Sequence, residues 1–210
     1  MNKIRYWFEE TAFYRHFWSA VLHPKNYLLC RKYPFWKSRN VWTGRFSGYQ
    51  FTMYDWIPDG WRKAFGPQLT EDIANALKAD GIPKRKWCKN LQWEDIKEKY
   101  GDLRLYAATT EKVQKVLSKY ECLSMGYCIN CGRPARYVTH GYILYVCDRC
   151  ASHYECKDDL DRLAAEDIPH YCTYDGNGGE IDETPIERFG IDFNELWGLE
   201  GGDAECSAKK

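Results

Sequence analysis

The spacing of apolar residues along the chain predicts several helices and a few short strands. Helical spacing predicts helices over residues 3–22, 68–79 and 92–100, another that begins after Thr110, and one near 157–166. Strand-forming residues predict a hairpin over 41–56 that turns at Ser47-Gly48, and a short strand at 103–108. Residues 23–40 show no clear period and are predicted to be irregular. The pattern indicates an α+β fold with a small antiparallel sheet.

Glycine and proline mark the ends of these predicted segments. Large aromatic side chains lie on the faces of the segments that are predicted to be apolar. Pro58-Asp59-Gly60 is predicted to end the strand-forming run over 41–56, and Gly101 is predicted to end a helix with a positive φ. The apolar periodicity places three of these side chains on faces that would pack against a core, namely Trp61, Trp93 and Tyr106. We expect all three rings to be buried.

Composition and the expected lack of an export signal indicate that the cysteines are reduced and available to bind metal. Apolar residues make up 44% of the chain and charged residues 29%, a globular composition, and no run of about 18 apolar residues is present to span a bilayer. Glu9 and Glu10 precede any apolar segment near the N-terminus, so we expect no export signal and a cytoplasmic protein. Thiols stay reduced in that compartment, where paired cysteines are typical of metal sites.

Four of the ten cysteines form two Cys-x2-Cys pairs with the spacing of a zinc ribbon. Cys128 and Cys131 are separated by 15 residues from Cys147 and Cys150, and the gap contains two strand-like runs around Gly141. A hairpin over those runs brings both pairs to one ion, and zinc favours tetrahedral coordination by four thiolates. We therefore predict one structural zinc ion bound by these four cysteines.

Enzyme chemistry finds little support in the sequence. Four cysteine ligands leave no open position on the ion for water, which argues against catalysis by the metal. A His-Asn-His nuclease also carries paired cysteines, but 15 residues leave no room for its catalytic unit, and His140 has no acidic neighbour. Asp55 and Asp59 also lack a supporting constellation. The sequence leaves open whether a second metal ion binds, because its ligands would have a spacing that matches no familiar site. They would be His153, Cys156, His170 and Cys172. We predict a non-enzymatic protein.

The net charge is zero overall but is divided unevenly along the chain. Residues 1–150 contain 25 Lys and Arg against 14 Asp and Glu, whereas the last 60 residues contain 5 against 16. Two basic clusters are interleaved with aromatic rings, a combination that favours phosphates and unpaired bases. The predicted nucleic-acid contacts are Lys25, Arg31, Lys32, Lys37, Arg39, Arg45, Lys84, Arg85, Lys86 and Lys89. Each cluster by itself also fits a solvated basic face without a ligand.

Three segments resemble an uncharacterised family of small proteins encoded by phages and prophages. They are YDWIPDGWRKAFG at 54–66, IKEKYGDLRLY at 96–106 and CINCGRPARYVTHGYILYVCDRC at 128–150. A Pro-x-Gly-Trp segment, an Ile-Lys-Glu-Lys-aromatic-Gly segment and a terminal zinc ribbon recur in that family in this order. The resemblance covers residues 40–150 and implies a phage protein that acts in the cytoplasm of the infected bacterium. It implies no activity.

The acidic C-terminal part supports a second hypothesis, an inhibitor of a host protein. Residues 180–205 carry nine acidic residues and one base, interrupted by apolar residues. Such a segment suits the nucleic-acid channel of a host defence complex, the target of an anti-CRISPR-like inhibitor. The predicted docking residues are Phe189, Phe193 and Trp197. Folding of the segment back over the basic part of the same chain is the alternative.

These features predict four parts of the chain. They are an aromatic and basic N-terminal segment at 1–40, an α+β core at 41–125, a zinc ribbon at 126–156 and an acidic extension at 157–210. The predicted function is non-enzymatic binding of nucleic acid or of a nucleoprotein complex, with no membrane association.

Overall fold

Helices and two small antiparallel sheets make up the computed structural model, which describes residues 11–40, 42–154 and 160–163. The α-helices within these residues are α1 (Ser19–Leu22), α2 (Pro24–Lys32), α3 (Asp59–Ala79), α4 (Trp87–Asn90), α5 (Glu111–Met125) and α6 (Asp148–Ala151). The strands are β1 (Leu91–Lys99), β2 (Asp102–Thr109), β3 (Tyr137–Thr139), β4 (Tyr145–Val146) and β5 (Leu160–Arg162). The predicted α+β fold is confirmed.

The N-terminal part is more helical than the sequence indicates. A π-helix at Tyr14–Trp18 continues into α1, and residues 3–10 of the predicted helix lie outside the described residues. The prediction that 23–40 is irregular is wrong, because α2 begins at Pro24. Proline suits the first position of a helix, where its missing N–H is not needed and its fixed φ matches the helix. The proline therefore starts a helix here instead of only ending the preceding one.

The main core lies between α3, α5 and the β1–β2 hairpin. Side chains from all three are fully buried, namely Leu69, Ile73, Leu77, Ile96, Leu103, Val113 and Leu117. Thr110 caps α5 as predicted, since its hydroxyl accepts the N–H of Val113 at 3.4 Å. Helix α3 begins at Asp59 rather than near 68, so Asp59 and Gly60, which follow the end of the preceding segment, already belong to the first turn of this helix. Even the 21-residue α3 lacks the apolar stretch of a membrane span, as do the other described helices.

The predicted helix at 92–100 is wrong, because these residues form β1. Strand β1 pairs antiparallel with β2, and a bulge interrupts their register between Trp93 and Asp95. The bulge shifts the inward-facing positions by one residue. Trp93 and Ile96 therefore both face inward although they are three residues apart, a spacing that imitates a helix. The φ of Gly101 is positive, as predicted, at 80°. Gly101 does not end a helix, however, but forms the hairpin turn together with Tyr100, whose φ is 56°.

The predicted hairpin over 42–56 is wrong, because the described residues on either side of Ser47-Gly48 do not pair with each other. Two isolated antiparallel bridges instead join Thr52 to Lys37 and Phe46 to Arg39. Met53–Trp56 forms a 3-10 helix instead of a strand. Thr52 and Asp55 cap it reciprocally, with the Thr52 N–H and hydroxyl donating to the Asp55 carboxylate at 2.7 and 2.8 Å. The capping box favours a helical turn over continued strand.

The second sheet has the strand order β4–β3–β5 and follows the first cysteine pair. The predicted hairpin between the cysteine pairs is confirmed as β3 and β4. The predicted helix at 157–166 is wrong for 160–162, which form β5 on the other edge of β3. Pairing with this open edge satisfies backbone groups that a helix would leave exposed on β3.

The three predicted core rings differ in burial. Trp61 is fully buried, as predicted, and Trp93 is partly buried. The prediction for Tyr106 is wrong, because its side chain is 40% exposed. Tyr106 lies on the outer face of β2, where the ammonium of Lys97 sits 5.3 Å from its ring centre.

Candidate functional site

The four predicted cysteines meet at one point. Their sulfur atoms all lie within 4.8 Å of one another, and the Cys131 and Cys147 sulfurs are 3.4 Å apart. All four are free thiols. A tetrahedral zinc site with bonds of about 2.3 Å separates its sulfurs by about 3.8 Å. The cluster therefore has the donor set and the dimensions of a four-coordinate metal site.

Tight turns in the backbone bring each pair of thiols together. The Gly132 N–H donates to the Cys128 carbonyl at 2.9 Å, and the Cys128 N–H donates to the Arg133 carbonyl at 2.7 Å. In the second pair, α6 starts directly after Cys147, and the Ala151 N–H donates to the Cys147 carbonyl at 2.8 Å. Local sequence thus builds each half of the site.

Repulsion between four closely spaced thiolates favours a bound cation in the cluster. Burial, together with hydrogen bonds to Cys128 and Cys131, raises the pKa of Cys150 above its ordinary value. Four thiolates so close together repel one another, and a bound cation reverses this effect. The residues present therefore fit a metal ion.

The Pro-x-Gly-Trp segment contacts the first cysteine pair directly. The Gly60 N–H donates to the Ile129 carbonyl at 2.9 Å, and the Trp61 indole N–H donates to the Tyr127 carbonyl at 3.0 Å. A Cβ on Gly60 would lie 2.2 Å from the Cys128 carbonyl oxygen. Only glycine permits this close approach between α3 and the metal site.

The Ile-Lys-Glu-Lys-aromatic-Gly segment contacts the ribbon on another side. A Cβ on Gly101 would lie 2.9 Å from the Tyr145 ring and 3.1 Å from Ile143. Glu98 accepts a hydrogen bond from the Tyr142 hydroxyl and another, at 2.7 Å, from the Gly101 N–H. The first two segments that carry the family resemblance therefore both pack against the third, one at the first cysteine pair and the other at the hairpin between the pairs. Their spacing in sequence gave no sign of this contact.

Two carboxyl groups behind this contact are missed by sequence reasoning. Burial raises the pKa of Glu121 to about 7 and that of Asp102 to about 6. Glu121 accepts the Leu105 N–H at 2.7 Å, and Asp102 pairs with Arg104 at 2.8 Å. The Glu121 carboxyl group joins α5 to β2, and that of Asp102 pairs within β2. Both groups therefore contribute to the packing of these elements.

A groove brings together residues from the two predicted basic clusters. It has a volume of about 490 Å³ and lies between the segment around 34–44, the 3-10 helix Met53–Trp56, α4 and β1. Lys37 and Arg39 of the first cluster and Lys89 of the second line it, with Trp56 and Trp93 among the aromatic residues. Residues about fifty positions apart in sequence thus share one surface.

Partly buried hydrogen bonds and a stacked ring pair hold the walls of the groove together. The Trp93 indole N–H donates to the Phe35 carbonyl at 2.9 Å, and the Cys88 thiol donates to the Pro34 carbonyl at 3.0 Å. The Trp93 ring stacks on Trp36 with ring centres 5.0 Å apart and planes 6° from parallel. The contact joins β1 and α4 to the 3-10 helix Pro34–Trp36, so the groove is a rigid feature of the fold.

The other predicted contact residues lie outside this groove. Lys25, Arg31 and Lys32 are exposed on α2, where Lys32 pairs with Glu71 at 3.0 Å. Arg45 is exposed, as are Lys84, Arg85 and Lys86, which form a 3-10 helix just before α4. The predicted docking residues Phe189, Phe193 and Trp197 lie outside the described residues.

The sequence-based statement that His140 has no acidic neighbour is wrong. The His140 Nε2 atom lies 2.6 Å from the Asp161 carboxylate, because β5 pairs beside β3. Both side chains are exposed. Of the proposed second metal set, only His153 is described, and its Nδ1 atom lies 2.9 Å from the Arg149 carbonyl oxygen.

No family model, curated protein or solved structure matches this chain. The resemblance to a phage-encoded family therefore stays a prediction.

Proposed function

We propose that this protein binds nucleic acid without catalysing a reaction, and that its four clustered cysteines hold one structural zinc ion. The proposal of nucleic-acid binding rests on one observation, that a single groove brings together Lys37, Arg39 and Lys89. Cations placed together along a groove neutralise adjacent phosphates and release their counterions, which is the main source of affinity for nucleic acids.

The acidic residues of the groove weaken this field but do not cancel it. Glu94 and Asp95 also line it, and Asp95 is already paired with Lys97. The three basic residues of the lining make no ion pair with a described carboxylate. Lys84–Lys86 add exposed positive charge next to α4. A polyanion is therefore the ligand that this surface favours.

Zinc is the metal that best suits four thiolates in a closed tetrahedral shell. A closed shell stabilises the fold and leaves no position for a reacting water molecule. In this protein the ion would fix the ribbon, against which both α3 and the β1–β2 turn pack. The metal's role is then to hold the three segments in place.

The groove is tested by measuring oligonucleotide affinity as a function of salt. A triple variant with Lys37→Ala, Arg39→Ala and Lys89→Ala is compared with the wild type. Three phosphate contacts give a slope of log K against log salt of about −2 for a single strand, so affinity falls about 20-fold between 50 and 200 mM salt. We expect the triple variant to lose most of this slope.

The control is Lys63→Ala, which removes an exposed lysine of α3 that lies outside the groove and, like the groove cations, makes no ion pair with a described carboxylate. It should leave affinity and slope close to wild type. Absence of binding at low salt, or equal loss in the control and the triple variant, would rule out the groove. Binding of a protein but no oligonucleotide would instead favour the inhibitor hypothesis.

The metal is tested by elemental analysis of protein purified without chelators. We expect one zinc ion per chain and none in Cys131→Ser. Replacement of zinc by cobalt should give the visible absorption of a tetrahedral thiolate site. A wild-type protein that contains no metal, and takes up none, would refute this part.

A further inference from the structure

The groove combines positive charge with an accessible indole face, which bears on the kind of nucleic acid it takes. Trp56 lines the groove and is 57% exposed. Among the described residues, no ring stacks on it and no ammonium group lies over it. A single exposed indole is common on protein surfaces, but this one lies in a groove together with three cations, so it is a candidate contact surface.

The backbone around Trp56 is held firmly. The 3-10 helix that ends at Trp56 is capped by Asp55 and Thr52. Asp55 also accepts from the Asn26 amide at 3.3 Å, and its backbone carbonyl accepts from the Arg62 guanidinium at 3.0 Å. A ring presented on such a rigid turn loses little conformational freedom when a ligand stacks on it.

From these observations we infer that the groove binds a single strand, with an unpaired base stacked on Trp56 and phosphates held by Lys37, Arg39 and Lys89. This rests on the proposed function. Aromatic faces bind any unpaired base by stacking, whereas bases inside a duplex have both faces covered by their neighbours.

The shape of the groove agrees with a single strand. Proteins read duplex DNA by inserting a helix or a β-ribbon into the major groove, which is about 12 Å wide. The surface here is concave, and its volume of about 490 Å³ falls in the range of sites that enclose small molecules. A cavity of that size accepts one or two nucleotides of an unpaired strand.

The test measures fluorescence anisotropy of a labelled oligothymidine and of a hairpin duplex of equal charge, using the full chain. We expect the single strand to bind at least tenfold more tightly than the duplex. Trp56→Ala should weaken single-strand binding by about tenfold, because stacking on one aromatic ring contributes an effect of that order. The salt slope should not change, since Trp56 contacts no phosphate.

Trp18→Ala is the matched control, since Trp18 is an exposed tryptophan at the end of the π-helix and outside the groove. It should bind like the wild type, and Trp56→Phe should recover most of the affinity because it keeps an aromatic face. Tighter duplex binding, or a Trp56→Ala variant equal to Trp18→Ala, would overturn the inference. In that case a loss in the triple basic variant would still support the proposed function. No binding of either oligonucleotide at low salt would refute both.

Discussion

Replacement of Gly60 by alanine tests the contact between α3 and the cysteine cluster. In an exposed helix, glycine to alanine usually stabilises by about 1 kcal/mol. Gly60 lies in the first turn of α3 and is buried against the chain at Cys128 and Ile129. We therefore expect the opposite sign here.

The magnitude follows from the contacts that must separate. A Cβ at position 60 would lie 2.2 Å from the Cys128 carbonyl oxygen and 2.3 Å from that of Ile129, both backbone atoms. Movement of about 1 Å toward ordinary contact distances breaks the bond from the Gly60 N–H, which contributes about 1 kcal/mol. It also breaks the bond from the buried Trp61 indole, and an unsatisfied buried donor costs about 2 kcal/mol. After the helix gain, we expect a net loss of about 2 kcal/mol.

The assay is urea unfolding with zinc present, together with the rate at which a chelator removes the metal. Gly60→Ala should lower the free energy of unfolding and speed metal loss. Gly81→Ala is the control, because a Cβ there meets nothing within 4 Å, although the φ of 69° costs about 1 kcal/mol. The control should leave metal release unchanged. A Gly60→Ala protein as stable as wild type, with the same release rate, would refute the contact.

Three further predictions concern the metal, the buried carboxyl group and the hairpin turn. Cys131→Ser should lose its metal by elemental analysis and unfold at lower urea, yet weaken oligonucleotide binding less than the triple basic variant does; a stronger effect on binding would place the ligand at the ribbon. Because burial raises the pKa of Glu121 to about 7, the folded state holds a proton that the unfolded state releases, so stability falls as pH rises from about 4.5 to 7. Glu121→Gln keeps the acceptor for the Leu105 N–H and should therefore match wild type in urea unfolding at pH 4 but exceed it by about 3 kcal/mol at pH 8; equal pH slopes would contradict this. Gly101→Ala should cost about 2 kcal/mol in the same assay, since its φ is 80° and its Cβ would meet Tyr145, and a loss no greater than that of Gly81→Ala would show that the turn does not depend on this contact.

Features that depend on local chemistry can be predicted from the sequence. Thr110 is a recognisable cap, the 3.6-residue repeat of α5 marks its buried face, and two Cys-x2-Cys pairs around a hairpin are sufficient to predict the cysteine cluster. Each of these features forms from residues that are close in sequence. Their physical cause is therefore readable from spacing alone.

Features that depend on partners distant in sequence become visible only in the folded chain. The apolar spacing of β1 predicts a helix because the bulge places inward-facing residues three apart, and only pairing with β2 makes this segment a strand. The groove unites Lys37 and Lys89, and Gly60 meets Cys128, through packing of elements that no periodicity connects. Local energies select helices, turns and metal knuckles, whereas burial and long-range pairing select which of these surfaces come together.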